Sequence, residues 1–182
     1  MKRLLLFMLL SSLAGNLASA QSYYTKNGKA SFFSTTNIEN IEAVNNQVVS
    51  VLNTSTGEVK FSLAIKGFLF RKALMQEHFN ENYMESDKYP KAGFNGTIAD
   101  ISKVNIGKEG TYTVSVSGDL TIHGVTKKIT VPGTIQVAKE GVYATSAFKV
   151  LLSDYNISVP KVVQGNISKS IEIKIECHYD AK

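Results

Sequence analysis

Apolar and polar residues alternate along most of this chain. Tyr112, Val114, Val116, Leu120 and Ile122 take one side of a run, and Thr113, Ser115, Ser117, Asp119 and Thr121 take the other. Ile129, Val131, Ile135 and Val137 repeat the pattern, as do Val142, Ala144, Phe148 and Val150. A period of two marks a β-ribbon with one dry and one wet face. Strands are predicted at 28–36, 47–52, 59–70, 93–102, 110–122, 127–138, 141–152 and 169–179. Connections at 107–110, 123–128 and 138–141 carry glycine and suit hairpins. Strands in this number and spacing predict an all-β protein, an antiparallel barrel or sandwich. No internal repeat or linker interrupts them.

One stretch departs from the pattern. Residues 72–86 read KALMQEHFNENYMES, rich in helix formers and free of glycine and proline. Leu74, Met75, His78, Phe79, Tyr83 and Met84 lie within helical spacing of one another, which predicts a short amphipathic helix ended before Tyr89-Pro90. Such a helix could plug one end of a barrel and supply core. It could instead form an adaptable wall of an apolar cavity.

The dry faces hold no charged residue, and Gly67, Gly118 and Ala144 are small positions that would leave volume inside a closed sheet. A barrel of about eight strands is either filled by its side chains or holds one small ligand. Volume lined by hydrocarbon favours a long apolar guest over a sugar or nucleotide. We expect Phe61, Leu63, Ile65, Val114, Val116, Leu120, Ile122 and Phe148 to face the lumen, with Phe94. Met75, Phe79, Tyr83 and Met84 would close it from the helix, and His78 could offer a hydrogen bond at its mouth. A reading of another class is a structural or stress-response barrel filled by its own large residues, among them Phe61, Phe79, Tyr83, Phe94, Tyr112 and Phe148, and acting through its outer surface.

The first twenty residues, MKRLLLFMLLSSLAGNLASA, join a basic start, a short apolar run and a small-residue site. They read as a secretory signal peptide cleaved near Ala20-Gln21, too short to span a bilayer, which leaves one domain over 21–182 in the periplasm or outside the cell. Net charge is +5 and falls by two when Lys2 and Arg3 leave, too little and too scattered for nucleic acid. Stable membrane insertion is not expected. Cys177, the single cysteine, shares a face with Ile171, Ile173 and Ile175 and reads as a core thiol. The Ile-rich last strand could pair with a second copy.

Chemistry is sparse. His78, His123 and His178 fall in three different elements without metal-ligand spacing. His123 is expected to face solvent beside Gly124, and His178 lies on the polar face of its strand. No nucleophile elbow, phosphate loop or dinucleotide fingerprint occurs. We therefore expect no enzyme, no metal and no cofactor.

Taken together, HFNENYMESDKYPKAGF (78–94), YTVSVSGDLTIHGVTKKITVP (112–132) and AFKVLLSDYNI (147–157) resemble the YceI-like family of exported lipid-binding proteins. The resemblance covers most of residues 60–160, in the family's order. It implies an extended, lipocalin-like, eight-stranded antiparallel barrel holding an isoprenoid lipid or quinone, or a fatty-acid-like molecule, for transport, storage or sequestration. The family helix often carries an Arg-Asp pair before the histidine. Here those positions hold Met75 and Gln76, which favours a neutral head group over a pyrophosphate.

Overall fold

In the computed structural model, which describes residues 22–180, the alternating segments form one antiparallel sheet. Its long strands are β1 (Ser22–Thr35), β2 (Asn40–Asn53), β3 (Glu58–Ala64), β5 (Lys91–Ile98), β6 (Gly110–Ile122), β7 (Val125–Ala138), β8 (Gly141–Leu151) and β9 (Ser170–Asp180). A two-residue β4 (Leu69–Phe70) adds to β2. The order β1-β9-β8-β7-β6-β5-β3-β2 returns to β1, because β1 pairs with β2 from Ser22↔Asn53 to Thr35↔Asn40. That last pairing closes the sheet, so the fold is an eight-stranded antiparallel barrel and not a sandwich.

Turn chemistry fixes the register. Only His123 and Gly124 separate β6 from β7, and both have positive φ (50° and 71°). Two successive left-handed residues match the right-handed twist of the flanking strands, so the ladder begins at once with Ile122↔Val125.

The structure departs from the sequence pattern in several places. β1 starts at Ser22 rather than 28, and β2 at Asn40 rather than 47. Tyr23 and Thr25 do point inward, but irregular register around Gly28 breaks the alternation. In β2 the inward position Asn45 is a buried amide. Its Nδ2 donates to the Ala64 carbonyl at 2.8 Å, and its Oδ1 accepts from the Gln47 N–H at 2.8 Å. The predicted single strand 59–70 stops at Ala64, turns through a 3₁₀ segment Ile65–Gly67, and resumes as β4. The helix is shorter than 72–86: α1 (Ala73–His78) runs into a π-helical turn, Phe79–Tyr83.

Two of the three small positions do not open the lumen. A Cβ on Gly67 would lie 2.7 Å from the Asn45 amide. At Gly118 it would lie 2.7 Å from Cζ of Phe94, whose ring also covers Gly96. Gly67 thus makes room for a side chain, whereas Gly118 lets the β5 backbone approach, since the Asn95 carbonyl oxygen and Gly96 Cα would lie closer still to its Cβ than Phe94 does.

One end of the barrel is solidly packed. Tyr179 is fully buried, lies edge-on to Tyr23, and its hydroxyl lies 2.6 Å from Ser50 Oγ. Cys177 is buried here, as its face implied. Burial pushes its thiol up from 9.0 to about 11, against the opposing effect of hydrogen bonds with Ser50 and Tyr179. Burial also raises the Tyr179 phenol. The unfolded thiol loses its proton near pH 9, whereas the folded one keeps it to about 11. Its contribution is therefore intact below pH 9 and is lost as pH rises through 11, about 1–3 kcal/mol in all. Urea midpoints at pH 8 and 10.5 should show a smaller alkaline loss in Cys177→Ala than in the wild type. Equal losses would place the cause elsewhere.

Candidate functional site: an apolar lumen

Toward the other end the packing opens. Inward residues of β6 and β8, such as Val114, Val116, Phe148 and Val150, are only partly buried although they point into the barrel. They border a cavity of about 350 Å³. That size is within the range of small-molecule sites.

All the residues expected around a lumen lie on its wall. Phe61, Leu63 and Ile65 come from β3 and the turn after it; Phe94 from β5; Val114, Val116, Leu120 and Ile122 from β6; Phe148 from β8. Met75, His78, Phe79, Tyr83 and Met84 reach it from the helix and the residue following it. Ala144 lines it as well. The helix is therefore a wall of the cavity as well as a plug for the barrel end.

Several wall residues were not among those expected. Phe32, Phe68 and Phe70 form a cluster with Phe79: Phe32 stacks on Phe79 at 5.3 Å between centroids, and Phe70 lies 5.0 Å from Phe79. Phe68 completes it at 5.3 Å from Phe32 and 5.6 Å from Phe79. This cluster fixes the π-helical turn after α1 against β1 and β4, and aromatic pairs of this geometry each add about 0.5–1.5 kcal/mol beyond their burial. β9 contributes Ile171, Ile173 and Ile175, and Gly133 of β7 lies opposite Val114. The isoleucines stood on a recognised dry face, but their position beside β1, and hence on the lumen, is set by barrel closure.

Among the described residues, the wall contains no lysine or arginine. Its ionisable side chains are Glu39, His78 and Tyr83. Glu39 sits at the end where the β1–β2 turn, the helix and the 152–169 connection converge. Its Oε1 lies 3.3 Å from Lys72 Nζ, and its Oε2 accepts from Asn166 Nδ2 at 3.3 Å. Gln76, one of the two residues replacing the family's charged pair, accepts from the Phe70 N–H at 3.2 Å and so ties helix to strand.

His123 does not face solvent as its position in the alternation implied. It is 8% exposed, with Nδ1 donating to the Tyr155 carbonyl at 3.0 Å and Nε2 lying 2.8 Å from Glu85 Oε2. Its left-handed backbone turns the ring back over the barrel end, edge-on to Tyr89 at 4.5 Å. One side chain thus joins the β6–β7 turn, the segment after the helix and the 152–155 turn. His178 does lie on the outer face, stacked on Tyr143 at 4.3 Å. Among the described residues, no three His, Cys, Asp or Glu side chains gather as a metal site.

His123→Ala should lower stability by about 2 kcal/mol, mostly from the orphaned Tyr155 carbonyl and lost packing. Half-exposed Glu85 adds little. A thermal melt should fall by roughly 4–8 °C. A shift below about 1 °C would mean that the three segments hold together without this ring.

The sequence matches the family model for the YceI-like domain over residues 17–179. This chain belongs to the YceI-like family. Solved structures agree on the fold. A polyisoprenoid binding domain from Saccharophagus degradans, implicated in plant cell wall breakdown, superposes with a TM-score of 0.76 at 13% identity, covering 88% of this chain and 98% of that one. BcnA of Burkholderia cenocepacia gives 0.69 at 17% identity over 85% and 96%. The Campylobacter jejuni YCEI protein gives 0.56 at 15% identity over 100% and 99%. No curated protein matches the sequence closely enough to count as a relative.

Proposed function

We propose that this YceI-like protein is a binding protein that holds one isoprenoid-type lipid or quinone in its lumen, for transport, storage or sequestration. The observation that carries this reading is the cavity itself: hydrocarbon and aromatic walls around about 350 Å³, with Glu39, Asn166 and His78 supplying polar groups. Burying a hydrocarbon tail there contributes about 25 cal/mol per Å² of apolar surface, and the few polar groups orient the head. The polyisoprenoid-binding relative supports the same chemical class. A wall without cations suits a quinone or another neutral head group better than a pyrophosphate.

We read the protein as a carrier and not a catalyst, since Glu39, the carboxylate on the wall, is already engaged by Lys72 and Asn166. Residues 1–20, which lie outside the described part, support a periplasmic or secreted location. The chain has no tryptophan, so its eight tyrosines report binding. Titration with a short-tailed ubiquinone should quench that fluorescence and saturate at one per chain, while farnesyl pyrophosphate binds at least tenfold more weakly. Failure to saturate would overturn the reading, and equal affinities would overturn the neutral head group.

A further inference from the structure

The polar end of the lumen is built around one carboxylate. Glu39, Ile41 and Met75 line both the cavity and a groove on the outer surface, so Glu39 stands between the lumen and the outside. Thr36 fixes its backbone: the Glu39 N–H donates to Thr36 Oγ1 at 3.0 Å, and the Thr36 N–H donates to the Glu39 carbonyl at 3.0 Å. Two donors fix its side chain, Lys72 Nζ at 3.3 Å from Oε1 and Asn166 Nδ2 at 3.3 Å from Oε2. Asn166 also lines the cavity. Two residues on, the Ser168 N–H donates to Ser34 Oγ at 2.8 Å and ties the same connection to β1. The carboxylate is therefore held in place before any guest arrives.

An ionised carboxylate accepts hydrogen bonds and cannot donate them, and its two oxygens offer about four lone-pair sites. Lys72 and Asn166 take one site on each oxygen, which leaves acceptor capacity on both. The other polar side chains of the wall, among them His78, Tyr83 and Asn166, both donate and accept, so they suit either kind of head group. Among the described wall residues, Glu39 is the group of fixed polarity. A carbonyl or ether oxygen brought against it sets lone pair against lone pair in apolar surroundings. A hydroxyl there donates into a charge-assisted hydrogen bond. The groove outside holds Glu42 together with Arg71 and Lys72, so an anionic head protruding into it would meet both signs of charge.

We propose that Glu39 selects the head group, and that the guest is an isoprenoid alcohol or a quinol whose hydroxyl donates to the Glu39 carboxylate. The inference rests on the carrier reading and narrows it. A quinone is held through its tail alone, its reduced form through tail and head. The hydrocarbon wall grips either tail equally, so the contribution of Glu39 is to specificity. A site built to accept a hydrogen bond from a hydroxyl rejects the analogue that lacks one, because its acceptor is then left without a partner.

The test compares farnesol with farnesyl methyl ether, which share a tail and differ in the donor, by titration of tyrosine fluorescence at neutral pH. Farnesol is expected to bind the wild type at least about tenfold more tightly, a comparison that needs no variant to fold. In Glu39→Gln, checked by circular dichroism, the ratio should fall below about threefold, because the amide loses the charge and gains an N–H that an ether oxygen can use. Lys72→Ala keeps the carboxylate and removes an exposed partner, so the preference should persist. Equal affinities in the wild type, with both ligands saturating at one per chain, would overturn the assignment and leave the carrier reading standing. A preference that survives Glu39→Gln would overturn it too, by placing the discriminating group elsewhere. So would its loss in Lys72→Ala, which would make the arrangement of the mouth and not the carboxylate the discriminator. Saturation by neither ligand would remove the carrier reading and this one with it.

Discussion

Protein carrying Val116→Phe is expected to fold normally and to lose the lipid proposed for its lumen. Val116 sits midway along β6, paired with Ile98 on one side and Val131 on the other, and it borders the cavity. A phenyl ring there grows into open volume, so the overpacking cost stays at the low end of the usual range, about 1 kcal/mol. The same ring takes the space a chain-like guest would thread. Lipid recovered per mole of protein should fall at least tenfold, measured by organic extraction and mass spectrometry, while the melting temperature moves only a few degrees. Unchanged lipid content in a folded variant would mean that any guest lies outside the path beside Val116.

The second large effect is at the packed end and concerns folding alone. Tyr179→Ala removes a fully buried ring that meets Tyr23 edge-on at 6.3 Å and leaves Ser50 without its 2.6 Å partner. Cavity formation and the lost Ser50–Tyr179 hydrogen bond together should cost about 4 kcal/mol, a large share of a domain's usual stability. For a chain of this size that is a fall of about 10 °C in Tm. Tyr179→Phe keeps the ring and should cost only about 1–3 kcal/mol. If the two variants melted alike, the hydroxyl network rather than the ring would hold this end. Because Tyr179 does not line the cavity, residual folded Tyr179→Phe protein should bind ubiquinone like the wild type.

Much of this architecture could be read from periodicity. Alternation in β6, β7 and β8 determines which side chains turn inward, and closure of the sheet then makes that side a lumen, so Val114, Val116, Leu120 and Phe148 could be named before any coordinates. What escaped the reading depends on contacts distant in sequence. Gly118 looked like lumen volume because nothing linear says that the ring of Phe94, on the next strand, lies over it. Gly67 looked the same, and the Asn45 amide occupies its space.

His123 is the clearest case. Its partners Glu85 and Tyr155 are 38 and 32 residues away, and its left-handed backbone breaks the strand parity that placed it outside. Phe32, Phe68 and Phe70 were visible as aromatic residues near strand ends. Their convergence on Phe79 depends on how α1 folds back across the barrel.

A carrier needs a guest in its interior. The direct measurement is native mass spectrometry of protein produced in cells and purified without detergent, followed by extraction of whatever dissociates. A single retained adduct, hydrophobic and released on unfolding, is the expected result, and it should be missing from Val116→Phe. A bare polypeptide mass, unchanged after incubation with ubiquinone, would contradict the carrier reading.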